Sequence, residues 1–216
     1  MIITIDGPAG SGKSSTAKAV AKKTGWFYLD SGSLYRTFTL LFLKYGKSKS
    51  ELLAHLNNHS VDLEVDGEEV LTMLDGADVG DSIRTPEVSG NVSKVSSWAE
   101  IRNKVNSIMR KTVQKHNFIA DGRDLGSVVF PDAAAKVFLT ASIEARAKRR
   151  YKELQEKGIE SNLEEIKQNL ADRDQQDSTR KIAPLIKPDD AIEIDTTSKK
   201  LEDQVRQIAG IVERVG

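Results

Sequence analysis

The sequence predicts an α/β fold, with a five-stranded parallel sheet flanked by helices and one small subdomain inserted into it. Short apolar runs alternate with stretches of helical periodicity along the 216 residues. The spacing between runs leaves room for crossover helices, as parallel strands require. One segment changes period: from about Val61 to Val79 apolar residues alternate, which is the signature of half-buried antiparallel strands.

The strand candidates are Ile2 to Ile5, Trp26 to Leu29, Phe118 to Ala120, Val137 to Leu139 and Ala191 to Ile194. Helices are expected at about Lys13 to Thr24, Leu34 to Tyr45, Trp98 to Lys115, Ile143 to Lys157, Leu163 to Lys181 and Leu201 to Val215, each apolar at three- and four-residue spacing. In the alternating segment Asp66-Gly67 and Asp75-Gly76 are hairpin-turn dipeptides. Residues 46–90 therefore read as the inserted subdomain, with a short helix near Glu51 to Asn57 and a lid-like role over a ligand.

The first strand candidate runs into Gly7-Pro8-Ala9-Gly10-Ser11-Gly12-Lys13-Ser14, a complete G-x-x-x-x-G-K-[ST] loop. Glycines there let backbone N–H groups crowd around a polyphosphate, Lys13 reaches its outer phosphates and the Ser14 hydroxyl is placed for Mg²⁺. A chance match in a chain of this length is roughly a one-in-a-hundred event. The strand before and helix after the loop are the context the motif requires.

Bulk properties narrow the remaining choices. Formal net charge is zero, so no global field argues for nucleic acid or an acidic membrane surface as partner. There are no cysteines, which excludes disulfides, thiolate metal sites and cysteine nucleophiles. The first strand starts next to Met1, and no apolar run approaches the roughly 18 residues of a membrane span. A cytoplasmic, monomeric protein is the expectation. The three histidines, His55, His59 and His116, show no ligand spacing, and no Ser/His/Asp triad is readable.

Three further constellations carry anion chemistry. After the second strand, Leu29-Asp30-Ser31-Gly32-Ser33-Leu34-Tyr35-Arg36 opens a helix with hydroxyls and a guanidinium one turn in. After the third, Asp121 stands at the strand's carboxyl end, where it suits a water-mediated magnesium role, and is followed by Arg123 and Asp124. Five of the seven residues from Arg146 to Lys152 are basic, with 146, 149 and 150 sharing a helix face. Arg173, Asp177 and Arg180 repeat that spacing on the next helix, and two helices joined around Gly158 would make a mobile phosphate clamp.

These segments, together with Leu125-Gly126-Ser127-Val128-Val129-Phe130-Pro131, Ala183-Pro184-Leu185 and Asp195-Thr196-Thr197, closely resemble the bacterial cytidylate (CMP) kinase family of nucleoside monophosphate kinases. The matches run in order over nearly the whole chain. The run from Asp121 to Pro131 is highly specific, whereas the P-loop is shared widely. The resemblance implies a single P-loop kinase domain with core 1–45, 91–145 and 182–216. The insertion at about 46–90 becomes a nucleoside-monophosphate-binding subdomain and 146–181 a helical lid. It implies transfer of the ATP γ-phosphate to CMP or dCMP, with ATP as co-substrate and Mg²⁺ held by Ser14 and, through water, Asp121.

Carried over position by position, ATP meets Gly7, Pro8, Ala9, Gly10, Ser11, Gly12, Lys13, Ser14 and Ser15, with Arg146 and Arg150 under the lid. Ser93, Arg102 and Asp124 read cytosine, and Arg36, Arg123, Arg173 and Arg180 hold the acceptor phosphate. Asp177 meets the sugar with Ser31 nearby, and Lys13, Arg123, Arg173 and Arg180 are catalytic. The chain departs from the family where Ser31-Gly32-Ser33-Leu34 replaces a frequent Thr-Gly-Ala-Met, and where the stretch from Lys187 to Asp190 is shortened. No glycine follows Asp195-Thr196-Thr197-Ser198, as one often does. From the residues alone, a kinase of the uridylate/cytidylate or adenylate type stays open, as does a nucleotide-binding switch. The two arginine-bearing regions speak against a switch, which has no use for a second phosphate site.

Overall fold

The structure, a computed structural model, describes residues 1–156 and 158–216. Lys157, the expected end of one helix, lies outside the described residues. In chain order the elements are β1 (Ile2–Asp6), α1 (Lys13–Thr24), β2 (Phe27–Asp30), α2 (Ser31–Lys44), α3 (Lys49–His55), β3 (Val61–Asp66), β4 (Glu69–Leu74), β5 (Ala77–Asp78), α4 (Pro86–Ser96) and α5 (Ala99–Thr112). There follow β6 (Phe118–Gly122), β7 (Ala135–Thr140), α6 (Ile143–Glu156), α7 (Leu163–Thr179), β8 (Ile192–Asp195) and α8 (Leu201–Val215). A single π-helical turn, Leu125–Val129, follows β6.

All five expected strands are present and form one sheet of order β2-β6-β1-β7-β8. The pairs β1/β6, β1/β7 and β7/β8 run parallel, so the α/β class read from the sequence holds. The chain divides into two compact units, Met1–Trp26 with Phe118–Gly216, and Phe27–Asn117.

In the first unit β1 is sandwiched by register: Ile2 to Asp6 lie opposite Phe118 to Gly122 on one side, and Ile3 to Asp6 opposite Ala135 to Phe138 on the other. A strand flanked on both edges reads as a continuous apolar run, and Ile3, Ile5, Phe118, Ile119, Val137 and Leu139 are buried. Each such side chain contributes roughly 1.5–3 kcal/mol relative to exposure. Helix α8 lays Ile208, Ile211 and Val212 inward at helical spacing and packs on α1. Helices α6 and α7 pack together around Ala147, Ile166 and Leu170, a cluster that also takes in Ala9 of the P-loop.

In the second unit the alternating segment folds as the three-stranded antiparallel sheet β3-β4-β5. One turn falls at the dipeptide Asp75-Gly76 read from the sequence, and the other is Gly67-Glu68, one residue past Asp66-Gly67, because Asp66 still pairs with Glu69. Asp75 and Gly76 both take positive φ, 54° and 80°, as a tight two-residue hairpin between Leu74 and Ala77 demands. The short helix expected near Glu51 is α3, capped by Ser48. Helix α4 was not expected. Its signals are nevertheless present: Thr85 caps the Val88 N–H, Pro86 takes the first turn, and Val88, Val92 and Val95 are buried at four- and three-residue spacing.

Candidate active site

The P-loop occupies the carboxyl end of the central strand β1. Gly7 has φ 147°, and a Cβ there would lie 2.1 Å from the Leu139 carbonyl oxygen, because β7 runs alongside in register. Gly12 sits at φ 93° immediately before α1, whose N-terminus has no side-chain cap. Uncapped first-turn N–H groups and the positive end of the helix dipole are what an anion requires.

Lys13 is buried, and its Nζ donates to the Pro8 carbonyl at 2.7 Å, curling the ammonium back over the loop. Burial pushes its pKa well below the ordinary lysine range and the Arg123 charge adds to that, while Asp121, Asp6 and Asp177 oppose it. The buried ammonium is thus poorly solvated, and an adjacent anion would favour its charged form.

The Ser14 Oγ donates to Asp121 Oδ2 at 2.8 Å. That contact follows from the parallel register, which sets Asp121 beside Ile5 at the top of β1. Two hard oxygen donors suit an ion such as Mg²⁺, which keeps several waters and is otherwise bound by phosphates. Among the described residues there is no cluster of three or more His, Asp or Glu that would form an all-protein metal cage.

Asp6, the last residue of β1, turns its carboxylate to the π-turn and accepts from the Leu125 and Gly126 N–H groups at 3.0 and 2.8 Å. Burial dominates its titration, raising the pKa to about 6 with Asp124 adding to the rise, against the two amides and Lys13.

Behind the loop, Thr196 donates to the Ser11 carbonyl at 2.9 Å and receives Arg149, whose guanidinium also reaches the Thr196 carbonyl. Gln204 accepts from Thr16 at 2.8 Å. The sequence reading missed this scaffold, for which the only local trace is the Asp195-Thr196-Thr197 run after the last strand.

A second set of charges lies after β6. Arg123 Nε donates to Asp177 Oδ2 at 2.9 Å, and Arg180 Nη2 to Asp124 Oδ1 at 2.9 Å. Arg180 also lies 3.9 Å from Asp177 and donates through Nε to the Ala183 carbonyl. Four of the expected site residues thus form one alternating network, with the two carboxylates no more than 16% exposed. Arg173 sits one turn before Asp177 on α7.

The basic cluster on α6 divides differently from a clamp. Arg146 is buried, donates to the carbonyls of Ala141 and Ala9 at 3.0 Å each, and pairs with Asp174 at 2.7 Å. Arg150 pairs with Glu153 on its own helix, at the surface. Of the three arginines on that face, two therefore grip backbone.

The second unit gathers its own set. Ser31 is buried in the first turn of α2, and Arg36 is half-buried one turn on. Arg102, on α5, is 2% exposed, donates to the Ser96 carbonyl at 3.2 Å and lies 5.5 Å from the Tyr35 ring centroid. Ser93 lies on α4, and its carbonyl accepts from the Ser96 hydroxyl.

A parallel sheet with a P-loop on its central strand, a buried lysine on that loop and an acidic residue on the next strand defines a P-loop nucleotide-binding protein. A solved structure of an uncharacterized protein from Eubacterium ventriosum shares the fold, with a TM-score of 0.54 at 14% identity over 99% of this chain and 98% of that one. This chain belongs to the cytidylate kinase family, whose match runs over residues 3–214. It is 42% identical to a cytidylate kinase of Lactobacillus johnsonii, over 99% of this chain and 94% of that one. It is also 42% identical to one of Bacillus thuringiensis, over 99% and 96%. The resemblance read from the motifs is borne out, and with it ATP as the co-substrate of a nucleotide kinase. No helix among the described residues is long and apolar enough to cross a membrane.

Proposed function

We infer that this chain transfers the γ-phosphate of ATP to CMP or dCMP, giving CDP or dCDP and ADP. The observation that carries the reading is family membership over the full length, joined to an intact P-loop whose Lys13 and Ser14–Asp121 pair are in place. In-line phosphoryl transfer needs positioning and charge stabilisation more than covalent chemistry from the protein. The uncapped start of α1 and the Lys13 ammonium hold the donor phosphates. Bound at Ser14 and, through water, at Asp121, Mg²⁺ would neutralise β- and γ-phosphate charge.

On the acceptor side, Arg36, Arg123, Arg173 and Arg180 hold phosphate, Asp177 and Ser31 the sugar, and Asp124, Arg102 and Ser93 the base. A carboxylate accepts from the exocyclic amine of cytosine, the pairing expected for that base edge. Arg123 pairs with Asp177 and Arg180 with Asp124. The acceptor phosphate takes over the two guanidiniums and the base takes over Asp124. Arg146 serves the donor from behind by fixing the Ala9 carbonyl, and Arg150 reaches ATP by leaving Glu153. The same proposal includes one kinase domain with core 1–45, 91–145 and 182–216, insertion 46–90 and lid 146–181, acting as a cytoplasmic monomer.

An assay of ADP release with ATP and each of CMP, dCMP, UMP, AMP and GMP tests it. Rapid turnover of CMP and dCMP over the other three is expected. Equal turnover of UMP or AMP overturns the substrate assignment, and ATP binding without any acceptor turnover overturns the kinase reading.

A further inference from the structure

The inserted hairpin makes polar contacts at both ends of α2, the helix that carries Ser31 and Arg36. At the start, Thr72 of the middle strand β4 donates to the Ser33 hydroxyl at 2.8 Å, and both residues are buried. Ser33 passes the bond on, its Oγ donating to the Asp30 carbonyl at 2.8 Å. Asp30 is the N-cap of α2, with Oδ1 accepting the Ser33 N–H at 3.2 Å. Its other oxygen faces Arg84, which follows the hairpin, at 3.4 Å.

At the far end, Tyr45 closes α2 and its hydroxyl lies 2.5 Å from His59 Nε2. His59 Nδ1 lies 2.6 Å from Asp75, the turn residue between β4 and β5. A carboxylate only accepts, so Nδ1 carries the proton and Nε2 accepts from Tyr45 in the neutral ring.

We propose that Thr72, through Ser33, is a positioning residue for the acceptor nucleotide, the insertion being a brace that sets the first turn of α2. The proposal rests on the reading that Ser31 and Arg36 meet CMP. A buried hydroxyl pair within one turn of both residues fixes their backbone, because breaking it leaves a buried polar group unsatisfied. Thr72 itself need touch no substrate.

The test compares Thr72→Val, which keeps the shape and removes the donor, with Thr72→Ser, Ser33→Ala, the Thr72→Val/Ser33→Ala double variant and the exposed Arg84→Ala. Thr72→Val is expected to raise KM for CMP about 5- to 10-fold, the scale of one buried hydrogen bond. KM for ATP and kcat should stay within about twofold. Thr72→Ser should restore the wild-type KM, and the double variant should be no worse than Ser33→Ala alone, since that change already removes the Thr72–Ser33 bond together with the Ser33–Asp30 bond.

Amide exchange at residues 31–36, read without any nucleotide, should quicken in Thr72→Val and Ser33→Ala and recover in Thr72→Ser. Arg84→Ala, at a side chain 60% exposed, should fold normally and quicken the same amides to a smaller extent. Unchanged exchange there, or KM values for CMP and ATP that rise together, overturns the brace. Wild-type protein inactive on CMP overturns the function reading instead, while the exchange experiment still decides the brace.

Discussion

Strands β1 and β2 both end in aspartate with a helix next in the chain, and the two junctions treat anions differently. Between β1 and α1 the loop from Gly7 to Gly12 intervenes, and α1 starts without a side-chain cap. Between β2 and α2 nothing intervenes, and Asp30 caps the helix it precedes. The glycine loop carries α1 away from Asp6, whose carboxylate caps the turn at Leu125 and Gly126 instead. A carboxylate at a helix start fills the place that a phosphate would take. The first junction thus leaves backbone N–H groups open to a phosphate, whereas at the second the function proposed above leaves that work to a side chain, Arg36.

The sharpest way to break this contrast is at Lys13, the one side chain through which the first junction adds charge to its backbone. Lys13→Ala is expected to lose at least about 100-fold in kcat, the scale for one preorganised electrostatic contact, with folding retained. Steady-state rates beside a circular dichroism melt check this, and near-normal kcat in a folded variant would sink the P-loop mechanism.

At the first junction Asp6 should make stability answer to pH. Asp6 has a folded-state pKa of about 6 against 3.8 unfolded, so the folded state holds its proton more tightly. Its stabilising contribution is full below about pH 3.8 and is lost as pH rises through about 6, a span worth at most about 3 kcal/mol. Urea melts of wild type and Asp6→Asn between pH 4 and 7 should show the variant gaining on wild type as pH rises. A constant difference across that window would remove burial as the dominant influence on Asp6.

Base choice is the next smaller effect. Asp124→Ala should lower kcat/KM for CMP by about 10- to 100-fold, the scale of roughly 1 to 3 kcal/mol for a buried polar contact, and cost UMP much less. Because Asp124 also holds Arg180, the CMP-to-UMP ratio is the deciding readout. An equal loss on both nucleotides would make Asp124 a holder of Arg180 alone.

How much of this was legible in sequence depends on how local each signal is. Strand and helix positions came from periodicity, and the hairpin turns, the first to within one residue, from Asp66-Gly67 and Asp75-Gly76, because those dipeptides force local backbone geometry. Helix α4 was hidden by its composition: Ser89, Gly90, Asn91, Ser93 and Ser96 are weak helix formers, and burial of three valines decides the outcome. Periodicity put Arg146, Arg149 and Arg150 on one face. It could not say that the first two would meet the backbone carbonyls of Ala9 and Thr196, since those acceptors come from parts of the chain remote in sequence. The Thr72–Ser33 bond was invisible for the same reason, joining positions that only the hairpin brings together.

The smallest predicted effect tests the other half of the comparison. If Asp30 serves as a cap, then Asp30→Ala should cost about 1 kcal/mol of stability, the ordinary loss for an N-cap aspartate. Asp30→Asn should cost much less, since an amide oxygen can still accept from the Ser33 N–H. The alanine variant also uncovers the start of α2, making that junction resemble the first one in its unfilled N–H groups. Inorganic phosphate should then protect the Asp30→Ala protein against thermal unfolding more than it protects the Asp30→Asn protein, because only the former offers an unoccupied helix N-terminus there. Equal protection of the two variants would mean that the capping carboxylate is not what keeps phosphate from the backbone of α2.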